Sequence, residues 1–188
     1  MGLPFLPVMT GPVLAGSASR ALRYVTDERQ RAMFLLSVRA GLRAKEIASL
    51  KWSMLTDVDG RLAPEIALTN GASKGKHGGR VIPICAQLRA ALEALPARTG
   101  PVITGRNGKP MTANAVTVWF HRLYADLGFK GASSHSGRRT AITRWARKIV
   151  EAGGSLKDVQ QLAGHASLGT TQRYIDGSAD AKRKVVEL

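Results

Sequence analysis

Apolar and polar positions follow a helical period along most of this chain and a strand period over one short stretch. From Thr26 the run DERQRAMFLLSVRA sets Met33, Leu36 and Ala40 on one face, the spacing of an amphipathic helix. Thr26 is the expected N-cap, Asp27 and Glu28 suit the first turn, and Gly41 is a natural C-cap. AKEIASL predicts a short second helix almost at once. The period then changes. MLTDV and LAPEIALT flank an Asp59-Gly60 turn, and VIPI follows a glycine-rich bend at Gly75, Gly78 and Gly79, so a small antiparallel sheet of about three strands is expected. Everything after Ala86 reads as helix. AQLRAALEAL stops at Pro96, and residues 113–127 place Val116, Phe120, Leu123 and Leu127 on one face, with Thr112 ahead and Gly128 behind. A longer helix is expected over 136–151, ending at Gly153-Gly154. Ser155 and Asp158 open SLKDVQQLA like a capping box, with Asp where Glu is usual, and Gly164 ends it. A last short helix carries Tyr174, and the tail AKRKVVEL has helical character. The expectation is an α+β, mainly helical fold, a three-stranded antiparallel sheet packed on a helical bundle.

Length and charge sharpen this picture. At 188 residues, with no internal repeat, the chain suits one core-bearing domain over residues 20–180. A flexible arm (1–19) is expected before it, and a tail (181–188) after it that either contacts a neighbouring protomer or frays. The opening MGLPFLPVMTGPVLAGSASR lacks the basic stretch of a secretory signal, and Pro4, Pro7 and Pro12 interrupt it. No run is long and apolar enough to span a bilayer. Lys and Arg number 28 against 13 Asp and Glu, a net charge of +15 spread along the whole chain. A polyanion is the natural partner, and nucleic acid is the first candidate. The single cysteine, Cys85, excludes an internal disulfide and suits a reducing cytoplasm.

Familiar catalytic motifs fail on context. Gly71-Ala-Ser73-Lys-Gly75 has the spacing of a hydrolase nucleophile elbow, but a glycine-rich bend and a strand follow where a helix is needed. Gly71 to Lys76 is one residue short of a phosphate-binding P-loop. The four histidines show no metal-ligand spacing. What remains is a set of cations and imidazoles around one tyrosine. Arg43 opens a helix, where free N–H groups favour a phosphate and a guanidinium adds a bidentate grip. His135 and Arg138 share a face at i, i+3, on a helix that Ser133 or Ser134 caps. His165 follows Gly164, and Tyr174 lies nine residues further on. Taken one at a time, these read as solvated or half-buried packing residues.

Together they resemble the tyrosine recombinases, or phage-type integrases, from about Arg20 to Asp180. GLRAKEIASLKW resembles the family's first arginine box, SSHSGRRTAITRWA its H-x-x-R box, and LAGHASLGTTQRYI the box holding the second histidine and the tyrosine. KGKHGGRVIPI resembles the hairpin that carries the family's lysine. The resemblance implies a 3′-phosphotyrosyl intermediate formed by Tyr174 with release of a 5′-hydroxyl. Arg43 and Arg138 would clamp the non-bridging oxygens, His135 would assist proton transfer and His165 would hydrogen-bond the phosphate. A hairpin lysine, Lys74 in preference to Lys76, would protonate the leaving oxygen, and Glu46 would brace the site. Lys76, Arg80, Arg139 and Arg173 are expected DNA contacts. No cofactor or metal is expected; double-stranded DNA is the implied partner, with self-association into a tetrameric synapse, in the cytoplasm with the nucleoid.

Three features depart from the family pattern. The lysine turn differs slightly in length, Arg139 stands where many relatives have histidine, and only a short arm precedes the domain. The rival readings are a type IB topoisomerase and a non-catalytic DNA-binding protein of the same fold. The short histidine-to-tyrosine spacing argues against the first, and the complete set of six side-chain types against the second.

Overall fold

The computed structural model describes residues 15–69, 71, 79–96, 98–105 and 107–174. In order the elements are α1 (Ala15–Tyr24), α2 (Glu28–Val38), α3 (Ala44–Ser49), a 3-10 turn (Trp52–Met54), β1 (Glu65–Leu68), β2 (Arg80–Pro83), α4 (Ala86–Glu93), α5 (Ala113–Asp126), α6 (Ser134–Lys148), α7 (Leu156–Ala163) and α8 (Leu168–Gln172). Two compact units meet in sequence at Ala141–Ile142, within α6. Helix α1 starts at Ala15, inside the stretch expected to be an arm.

In the first unit α2 is the centre. The sequence pattern predicts one apolar stripe, yet every residue from Ala32 to Val38 is buried. The helix packs on α1, α3 and α4, and an element enclosed on several sides has no face left for water. Its N-cap is Asp27 rather than Thr26. Oδ1 of Asp27 accepts the Gln30 N–H at 2.9 Å, and a carboxylate suits the positive helix end better than a hydroxyl does. At the other end Gly41 takes φ +64°, and the N–H groups of Gly41 and Leu42 return to the carbonyls of Ser37 and Leu36.

The sheet is smaller than expected. Among the described residues β1 and β2 pair antiparallel, with Ile66 opposite Ile82 and Leu68 opposite Arg80. The third strand, expected at MLTDV, is replaced by the 3-10 turn and a single bridge, Thr56 to Leu62. The Asp59-Gly60 turn itself forms. Asp57 Oδ1 accepts the N–H groups of Asp59 and Arg61, which closes a tight loop and leaves no length for a ladder. Nor is all the chain after Ala86 helical: Lys51 bridges Pro101 and Thr104 bridges Pro110, tucking Val102 and Ile103 into the core. Gly79 marks the closest approach in the hairpin. A Cβ there would stand 2.1 Å from the carbonyl oxygen of Leu68.

The second unit has its own small core of Ile142, Val159 and Ala163, with Trp145, Ile149 and Tyr174 packed against it. Helix α6 closes through Gly154, whose N–H reaches Ile149 O at 2.8 Å. Asp158 Oδ2 accepts both the N–H and the hydroxyl of Ser155, at 2.7 and 2.8 Å, so the aspartate version of the capping box forms as expected. Helix α7 ends in a Schellman turn: Gly164 has φ +61°, its N–H meets Gln161 O, and the His165 N–H meets Gln160 O. Among the described residues no helix is long and apolar enough to cross a membrane, and no cluster of His, Cys, Asp and Glu suits a metal ion.

Candidate active site

Arg43 is the N-cap residue of α3, and Glu46, one turn on, is fully buried beneath it. Glu46 accepts four hydrogen bonds. The Arg43 N–H donates to Oε2 at 2.8 Å, and Arg43 Nη1 to Oε1 at 2.8 Å. Arg80 donates through both terminal nitrogens, Nη1 to Oε1 at 2.7 Å and Nη2 to Oε2 at 2.8 Å. Burial pushes the Glu46 carboxyl up, but the hydrogen bonds and charge of Arg80, then the amide and charge of Arg43, outweigh it and hold it at about 2. At neutral pH this group is a fixed anion that positions guanidinium groups; it has no proton to exchange.

Arg80 was expected at the DNA surface and is instead buried, bidentate on Glu46. The signal for this lay in the strand period. Ile82 faces the core and Val81 faces out, so Arg80 also points inward, and a buried guanidinium needs a carboxylate.

His135 and Arg138 lie in the first turns of α6. Ser133 caps that helix: its Oγ accepts the His135 N–H at 3.3 Å, while Ser136 Oγ accepts the Ser133 N–H at 2.9 Å. His135 is exposed at this positive end, and Arg138 is buried. Arg138 Nη1 donates to the carbonyl of Gly41, two residues before Arg43, so both arginines are anchored on the turn between α2 and α3. The turn between His135 and Arg138 packs very closely. A Cβ on Gly137 would sit 2.3 Å from Ser37 Oγ, so only glycine lets α6 pass α2 here. The sequence pattern gave no sign of Ser37 as the partner.

In the second unit the Schellman turn presents His165. Its carbonyl accepts Gln160 Nε2 at 3.0 Å, and its Nδ1 shares a hydrogen bond of 2.9 Å with Oγ1 of the fully buried Thr171. Tyr174 follows α8, its N–H on Thr171 O at 3.0 Å, and its half-buried ring stacks on His165 with centroids 5.6 Å apart and planes 23° apart. The sequence pattern singles out neither Gln160 nor Thr171. Arg139 and Arg173 are exposed. Lys74 and Lys76 lie outside the described residues.

The sequence model of the phage integrase family matches residues 17–180. The chain belongs to this family. It is 34% identical over 152 residues to the tyrosine recombinase XerC of Xylella fastidiosa (strain M23), covering 78% of this chain and 48% of that protein. It is 30% identical over 168 residues to the tyrosine recombinase XerA of Thermococcus onnurineus (strain NA1), covering 86% and 56%. The chain thus spans about half the length of these curated relatives. Among solved structures, a XerA recombinase crystal structure superposes with a TM-score of 0.73 at 22% identity, covering 97% of this chain and 65% of that one. The Tn1549 transposon integrase, in complex with transposon right end DNA, superposes with a TM-score of 0.71 at 21% identity, covering 100% and 68%. At these identities the structural likeness establishes the tyrosine recombinase catalytic-domain fold alone, and the family rests on the sequence matches.

Proposed function

We propose that this phage integrase family member cuts and rejoins double-stranded DNA at a defined site. Tyr174 Oη attacks the scissile phosphorus, the P–O5′ bond breaks, and a 3′-phosphotyrosyl link remains. The departing 5′-oxygen takes a proton from the hairpin lysine, Lys74 or Lys76. Arg43 and Arg138 bind the non-bridging oxygens, where fixed cations stabilise the charge of the pentavalent transition state. His165 donates a hydrogen bond to the same phosphate, and His135, near the positive end of α6, moves the tyrosine's proton. Glu46 and Arg80 position Arg43.

The observation that carries this reading is the anchoring of Arg138 on the Gly41 carbonyl, beside Arg43. It supplies two guanidinium groups on one turn in a family whose relatives are named recombinases. Arg139 and Arg173 contact the DNA backbone, and copies of the chain assemble on DNA as a tetrameric synapse. The location that goes with this reading is the cytoplasm, on the nucleoid, supported by relatives named as tyrosine recombinases.

The test is a suicide duplex carrying a candidate site, incubated with the protein in EDTA without ATP. An adduct that survives denaturant, and is lost in Tyr174→Phe, is the expected result. An adduct that persists in Tyr174→Phe removes Tyr174 as the nucleophile. Strand exchange in the products separates recombination from relaxation alone, which would favour the topoisomerase reading.

A further inference from the structure

His165 is closely held beside the tyrosine, and a buried hydroxyl is one of its partners. Its backbone is fixed on both sides, the N–H on Gln160 O at 3.1 Å and the carbonyl on Gln160 Nε2 at 3.0 Å. Only the two side-chain torsions remain, and the ring is confined by the Tyr174 stack and by Thr171 Oγ1 at 2.9 Å from Nδ1. Thr171 is wholly buried, the fourth residue of a helix only five residues long.

A neutral imidazole has one donor nitrogen and one acceptor nitrogen, and a phosphodiester oxygen only accepts. The histidine can therefore serve a phosphate in its neutral form only when Nε2 carries the proton. The other tautomer would aim a lone pair at an anionic oxygen. A hydroxyl can fill either role at Nδ1, and the phosphate's need for a donor at Nε2 selects the arrangement in which the hydroxyl donates.

We propose that Thr171 is a positioning residue that donates its hydroxyl hydrogen to Nδ1 of His165 and so keeps the ring proton on Nε2, facing the scissile phosphate. Both the phosphate's place in this statement and the direction of the Thr171 hydrogen bond rest on the function proposed above, whereas the contact itself does not. The hydroxyl is the organic counterpart of the hydrogen-bond partners that fix metal-bound histidines, where loss of the partner typically costs about 10- to 100-fold in activity.

The experiment uses the full chain with 15N-labelled histidine, read by long-range proton–nitrogen NMR at about pH 8, above the usual imidazole range. Wild type and T171S are expected to show the Nε2–H form, and T171V a mixture or the Nδ1–H form. On the suicide duplex, T171V is expected to form adduct about 10- to 100-fold more slowly with unchanged duplex affinity, while T171S stays near wild type. A merely structural threonine would change the thermal midpoint and leave the tautomer alone. An Nδ1–H form in the wild type overturns the proposal without any variant, as does an Nε2–H form retained in T171V. A wild type that forms no adduct would remove the proposed function, and the NMR result would still decide the role of Thr171.

Discussion

Glu46 shows how much depends on a single buried carboxylate. Two arginines and one amide converge on it, and none of the three is close in kind to a surface ion pair. Its folded pKa, about 2, lies below the ordinary 4.5, so the folded chain binds fewer protons than the unfolded chain between those values. The stabilisation is complete above 4.5 and is lost as pH falls through about 2. Its size is roughly 3 kcal/mol, at about 1.4 kcal/mol per unit. Glu46→Gln is expected to destabilise the protein at pH 7 by about 3–5 kcal/mol, since Arg80 is left buried without its anion. Denaturant unfolding from pH 6 to pH 2 checks this: the variant should show a flatter acid limb than wild type, and equal limbs would count against the ion pair as its cause. Glu46 enters the sequence reading as a brace only through the family resemblance, on the helix that Arg43 opens. The expectation of Arg80 as a DNA contact overlooks the alternation through Val81 and Ile82, which turns Arg80 inward.

At the scale of elements, the crossing of α2 and α6 is set by Gly137 against Ser37. Gly137→Ala gains about 1 kcal/mol of helix propensity and loses about 1–3 kcal/mol to overpacking, so a net loss in thermal midpoint is expected. Ser37→Ala alone should be neutral or mildly stabilising, because the buried Ser37 hydroxyl has no hydrogen-bond partner. The double variant should recover part of the loss; strict additivity would show that the two sites do not touch. Helix α7 offers a second check. Gly164→Ala forces a side chain into φ +61°, at a cost of about 1–2 kcal/mol, and should slow adduct formation as well, because His165 hangs from that turn. The helices were legible through period and capping residues, Ser155 with Asp158 being the clearest. The small β elements were not. MLTDV alternates well enough for a strand, but its length is consumed by the Asp57 loop, and the Thr104–Pro110 bridge has no periodic signal to read.

For the molecule as a whole, the +15 charge predicts salt-sensitive duplex binding, with the logarithm of affinity falling linearly against the logarithm of salt concentration. Arg173→Ala should weaken binding to all sequences alike and reduce that slope by about one. Titrations at several salt concentrations test it, and an unchanged slope would remove Arg173 as a phosphate contact. The two groups of candidate residues also differ in how far apart along the chain their partners lie. Arg138 reaches back 97 residues to Gly41 and Arg80 reaches 34 to Glu46, whereas His165 and Thr171 are only 6 apart. Closing a short loop costs little entropy and takes tens of nanoseconds, while distant partners must await collapse of the whole unit. The separations predict that the His165–Thr171 contact forms before the Arg138–Gly41 and Arg80–Glu46 contacts, an order that φ-value analysis of variants at these positions would check.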